Sequence, residues 1–414
     1  MTTLRGGQTP TGETPAGAAA PPERRSELDA LRALVVIGLV FFHSALVFDS
    51  RDDFYIKNDT TTDATMIAAG LAVVWAMPLL FLIAGVGSRH SLRRRGPRGF
   101  AAGRLRRLGV PLLFALLVLL PVPQWLRLRA ADPGYRESYP EFWPRFFDVH
   151  LEAAEFPFVV QGEHFETGHL WFVALLLSFA LLLALPAALL PPGRGAALLG
   201  AAAGAATRRR GLLLLAGASP LALISALLGL EEGYGGWHRL AYLLFFGYGL
   251  AVVSDERFRA VIRRDAARAA VLAGALFALG MPGFLLTDEP FTEFSPLAVA
   301  ARGLYGATGW CAVVAILGLL DRGGRAAAAS GGGPAGPLRD WWRRVSGYLG
   351  DAVLPLYVLH QPIVVAVAYG VVGRELPMVV KFLVISLSSL LLTVAAYELL
   401  VRRTRPARFL FGMR

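Results

Sequence analysis

Apolar runs of about 20 residues recur along almost the whole of this chain, and no other feature constrains its fold as strongly. A helix rises 1.5 Å per residue, so such a run crosses about 30 Å of hydrocarbon. Inside a bilayer the backbone must satisfy its own N–H and C=O groups, which leaves helices or closed barrels, and continuous apolar runs select helices. Ten runs are read, at 31–48, 66–88, 108–126, 169–190, 211–230, 238–253, 269–287, 297–320, 348–371 and 377–401. Composition agrees: 55% of the residues are hydrophobic and 17% charged, with a mean hydropathy of +0.52, against about 25% charged in soluble domains. The expected fold is an all-α integral membrane protein, a polytopic bundle of about ten transmembrane helices.

The segments outside the runs set the organisation. Residues 1–25 are rich in Gly, Pro, Thr and Ala and lack the apolar stretch of a signal peptide, so they read as a disordered tail. Residues 26–401 form the transmembrane domain, interrupted by a flexible loop at 323–337, and 402–414 is a basic tail. With the N-terminus placed in the cytoplasm, the inward segments beyond the N-terminal tail hold 27 arginines. The outward ones hold 7 Lys plus Arg and 19 Asp plus Glu. That is the positive-inside pattern of a multi-pass plasma-membrane protein with both termini cytoplasmic. It accounts for a pI near 10.3 without nucleic acid, because no soluble module presents the arginines to a groove. The single cysteine, Cys311, excludes an intrachain disulfide.

Against this apolar background the polar residues stand out. Arg32 and His43 are 11 residues apart, within about 20° of one helix face and about 16 Å apart along the axis, with Asp29 near the same stripe. Two explanations stay open on spacing alone: a snorkelling anchor with a helix-contact histidine, or a functional pair. His360 also falls within an apolar run, beside Tyr357, Gln361 and two prolines that free backbone carbonyls. Ionisable groups at such depth face a bundle interior or a wet cavity, so His43 and His360 are expected to share one. His169 and Trp171 open the fourth run, where a tryptophan belongs to the interfacial belt. Arg104 and Arg107, at i and i+3 after the second run, suit phosphate oxygens if that segment is helical, or else lipid headgroups. No close histidine spacing marks a metal site, and "SGGGPAG" lacks the Lys-Ser/Thr ending of a phosphate loop.

Taken in order, "LDALRALVVIGLVFFH", "RLRRLGVP", "HLWF" and "LPLYVLHQP" resemble the membrane-bound acyltransferase 3 family, which includes polysaccharide O-acetyltransferases and glucan-succinylating proteins. The "HLWF" form is similar to the glucan-biosynthesis branch. The resemblance implies transfer of an acyl group, acetyl or succinyl, from cytoplasmic acyl-CoA to a hydroxyl of a carbohydrate or glycosylated acceptor. No fused hydrolase domain of the kind some members carry is read here, so a separate envelope-modification partner protein is expected, and the histidine spacing leads to no expected metal. Carried onto this chain, His43 is the expected general base, with Arg32, His360 and Tyr357 beside it. Arg104 and Arg107 would hold the CoA phosphates, and Asp29, His169 and Trp171 would face substrate. A proton-coupled carrier or flippase of a glycolipid or small solute is the alternative of another class, and a scaffold subunit a third. The carrier lacks support from internal symmetry or paired broken helices.

Overall fold

The computed structural model describes residues 26–189, 194–252, 255–329 and 337–413. The predicted tail 1–25 lies outside the described residues. Of the predicted loop 323–337, residues 323–329 continue a helix, Pro337 opens the next, and 330–336 lie outside the described residues.

The described chain is helical almost throughout. In order the helices are α1 (Ser26–Leu46), α2 (Ala64–Arg104), α3 (Val110–Val118), α4 (Pro121–Ala131), α5 (Tyr139–Phe146), α6 (Trp171–Leu189), α7 (Arg194–Arg208) and α8 (Leu212–Leu228). There follow α9 (Arg239–Val252), α10 (Glu256–Leu286), α11 (Pro296–Ala329), α12 (Pro337–Val371), α13 (Met378–Ala396) and α14 (Arg405–Leu410). One short antiparallel ribbon, β1 (Val149–Leu151) with β2 (Val160–Gly162), sits in the α5–α6 connection.

Seven helical segments are long and apolar enough to cross a membrane, or eight if the pair Ala197–Arg208 and Leu212–Leu228, bent by 119°, is one span. The difference from ten has physical causes. Two expected spans lie in one helical stretch, Gly70–Ala131, which is not straight. Gly96 breaks it with φ 66° and ψ 174°, and Arg104 donates to Ser88 Oγ at 2.9 Å. Sixteen residues of straight helix would hold those two about 24 Å apart, so the chain folds back at Gly96–Pro97. The expected run at 238–253 is α9, only 14 residues long.

Small residues let the helices meet. A Cβ at Gly85 of α2 would fall on the Phe246 carbonyl, and one at Gly249 of α9 on the Leu82 carbonyl, so α2 and α9 touch backbone to backbone. Hydrocarbon offers no hydrophobic drive for helix association, and such close approach supplies the dispersion contact instead. α10 runs along α11, which also packs on α8, while α1, α12 and α13 form a second group. Loops at one end are cross-tied: Arg239 binds Glu231 at 2.8 Å and Glu155 at 3.2 Å, and Lys381 donates to Asn58 Oδ1 at 2.8 Å. Buried Arg302 donates to the carbonyls of Pro290, Glu293 and Ala226.

Candidate active site

The candidate site is built where α1 and α12 meet the turn before α6. α12 carries Pro355 and Pro362. A proline has no N–H for the carbonyl four residues back, so Pro362 leaves the Val358 carbonyl unclaimed by the helix. His169 Nε2 lies 3.2 Å from that oxygen. A carbonyl only accepts, so Nε2 carries the proton, and Nδ1 of His169 is a buried lone pair with no partner. One residue earlier the Tyr357 carbonyl takes His360 Nδ1 at 2.6 Å; by the same logic His360 Nε2 is the free acceptor, also buried and unpartnered. The Tyr357 hydroxyl donates to the His169 carbonyl.

His43 completes the group. Its ring lies 5.2 Å from that of His360 and stacks on Phe54 at 5.9 Å, so it points into the protein. His43 Nδ1 is buried without a partner. His360 touches His169 as well, with centroids 4.9 Å apart. Three imidazoles from three separate stretches of chain thus converge, each with one ring nitrogen bound to nothing in the protein. Gln361 adds an unpartnered buried Oε1. Among the described residues no three His, Cys, Asp or Glu side chains are disposed to hold a metal ion.

The sequence separated His169 and Trp171 from the two intramembrane histidines, and here the structure differs. His169 belongs to the cluster. Trp171 is no belt residue: it is buried, with its ring 5.3 Å from Tyr242, 6.0 Å from Tyr234 and 6.3 Å from Phe81. A tryptophan in an aromatic core is shielded from lipid whatever its place in the chain.

The arginines gather at the other end of α1. Arg32 donates to Asp29 Oδ1 at 3.2 Å and to the Ile83 carbonyl at 3.4 Å, which fastens α1 to α2. Arg104 lies over Phe100 at 5.1 Å and within electrostatic reach of Arg107, Arg32 and Arg95. Its Nε is buried without a partner, as is that of Arg89. The segment is helical as expected, but Leu105–Gly109 winds as a π-helix, whose i→i+5 pitch displaces residues three apart. Arg104 is consequently half-buried and Arg107 exposed. Ser88 and Arg89 escaped the sequence reading; the polar "SRH" closing an apolar run was their signal.

A family profile described as an acyltransferase domain matches residues 25–398. No curated protein and no solved structure matches the chain significantly. The matched region runs from the start of α1 to the end of α13 and includes every imidazole and arginine of the two groups just described. A profile match over nearly the whole chain, on a multi-pass helical bundle, makes this protein a member of the membrane acyltransferase 3 family.

Proposed function

We propose that the protein moves an acyl group, acetyl or succinyl, from cytoplasmic acyl-CoA to a hydroxyl of a carbohydrate or glycosylated acceptor at the outer face of the plasma membrane, with His43 as general base. The observation that carries this reading is the convergence of His43, His169 and His360 with three unpartnered ring nitrogens. A neutral imidazole is the side chain best suited to accept a hydroxyl proton near neutral pH.

The reaction then runs as follows. His43 takes the acceptor's proton while the hydroxyl oxygen attacks the thioester carbonyl carbon. The C–O bond forms, the C–S bond breaks through a tetrahedral oxyanion, and the leaving sulfur recovers the proton from His43 as CoA thiol. Tyr357, with its hydroxyl committed to the His169 carbonyl, holds that residue in place. His360 can donate to the oxyanion only when its Nε2 is protonated as well, because Nδ1–H is already engaged. Arg104, Arg107 and Arg32 supply cations for the CoA phosphates. Arg32 and His43 lie about 16 Å apart along α1, and the pantetheine arm is long enough in principle to cover that distance. Asp29 acts by orienting Arg32, its partner at 3.2 Å. A separate envelope-modification protein would deliver or receive the acceptor.

The test is His43→Ala in vesicles supplied with acetyl-CoA and candidate hydroxyl acceptors. The variant inserts and elutes like the native protein, and its transfer rate falls at least about 10²-fold, the lower end of what general-base assistance contributes. Undiminished transfer would remove His43 from the role of base.

A further inference from the structure

The loops at the acid-rich end contain a polar contact for which acyl transfer has no evident use. Phe54, whose ring lies on His43 at 5.9 Å, is followed by Tyr55, itself buried, and the Tyr55 hydroxyl donates to Glu166 Oε1. Glu166 also accepts from Gln124 and faces the Arg127 guanidinium, and burial raises its carboxyl above the usual carboxylate range. Two residues further on is Gly168, with φ +44°; a Cβ there would approach the Tyr55 hydroxyl oxygen to 3.0 Å. Only glycine combines that backbone turn with room for the phenol. The next residue is His169.

One hydrogen bond therefore joins the two surface segments that bear on the imidazole cluster. The α1–α2 connection holds Phe54 against His43, and the turn before α6 presents His169 to His360. Both histidines meet α12, His43 through the His360 ring and His169 through the Val358 carbonyl and the Tyr357 hydroxyl, and the Tyr55–Glu166 bond adds a direct tie between the two segments that carry them.

We infer that Tyr55 and Glu166 form a latch that sets the position of His169 relative to His43, so that both are positioning residues for the imidazole cluster. Its catalytic consequence rests on the acyl-transfer reading; its geometric consequence does not. Opening the latch frees both segments, exposes the imidazoles and loosens their spacing, and a displacement near 1 Å at a reacting centre is enough to cost up to about 10²-fold in rate.

The experiment uses the full-length protein in detergent, as wild type, Tyr55→Phe, Glu166→Ala and Glu166→Gln. Carbethoxylation by diethylpyrocarbonate is followed at His43 and His169 by peptide mass spectrometry. Tyr55→Phe and Glu166→Ala raise both rates at least about threefold, as local opening does. Glu166→Gln keeps an oxygen for the phenol and returns the rates toward wild type. In the same proteins the latch-open variants lower kcat for thioester turnover about tenfold with KM for acetyl-CoA unchanged. Wild-type carbethoxylation rates in Tyr55→Phe, which loses one oxygen atom and keeps the buried ring, would overturn the latch. This readout needs no acyl transfer, so it stands or falls apart from the proposed reaction. Should Glu166→Ala fail to fold, Tyr55→Phe decides alone.

Discussion

Arg104 donates once, to Ser88, and keeps a buried Nε with nothing to bond. A guanidinium so placed among like charges is costly until an anion arrives, and phosphate oxygens match its fork. Arg104→Ala should therefore raise KM for acetyl-CoA roughly tenfold or more, in line with about 1.5–3 kcal/mol for a charge-assisted hydrogen bond, and leave kcat little changed. Arg107→Ala, at an exposed position, should act in the same direction with a smaller effect, because solvent screens it. Initial-rate kinetics across acetyl-CoA concentrations decide this; a constant KM in both variants would leave the arginines with topology alone. Individual residues were legible in proportion to how local their cause is. Arg32 and His43 share one helix, so an 11-residue spacing places them. The unclaimed carbonyl at Val358 follows from Pro362. That it would be claimed by His169, 189 positions away, follows from the turn at Gly168 and from helix packing, and neither leaves a periodic trace.

Elements are decided by what the chain can do locally, and by how closely backbones can approach. "RRRGPRGF" contains a Gly-Pro pair, a strong local punctuator, and Gly96–Pro97 is where the long helical stretch reverses. Apolar length alone separates the runs on either side without showing that helix continues into the turn. Hydropathy is equally silent on why α9 lies against α2: Gly249 serves the backbone contact between them. Two glycines of α9 make this testable. Gly249 would drive a Cβ onto the Leu82 carbonyl, whereas a Cβ at Gly247 meets nothing within 4 Å. Gly249→Ala should lower stability by about 1–3 kcal/mol or more, the cost of overpacking against backbone. Gly247→Ala, two positions away on the same helix, should be neutral or stabilise by up to about 1 kcal/mol through helix propensity. Thermal melts in detergent separate the two; equal melting temperatures would show that α2 and α9 do not meet as described.

At the scale of the molecule, charge is sorted along the bundle. One end ties Asp321 to Arg259 at 2.8 Å and to Arg263 at 2.6 Å, beside Glu27 and Leu28 at the start of α1. The other gathers Asp49, Asp52, Asp53, Glu155, Glu166 and Glu231 on its loops. Asp52, exposed at its surface, shows the crowding: desolvation by the surrounding loops first, then Asp49, Asp53 and Glu232, push its carboxyl up to about 6 against the pull of Lys57. The bilayer reads such a dipole of composition by retaining arginines in the cytoplasm, so the arginine end should face inward and meet acyl-CoA, while the latch and the imidazoles open toward the acceptor. Impermeant maleimide labelling tests this on a Cys311→Ala background, with Asp59→Cys and Arg208→Cys introduced singly at exposed positions of opposite ends. In intact cells Asp59→Cys should label at once and Arg208→Cys only after permeabilisation. The reverse pattern would put the arginines on the wrong side for a cytoplasmic thioester. The donor would then have to reach the imidazoles from the end that bears the carboxylates, where a polyphosphate meets repulsion, and acyl-CoA could not be the donor.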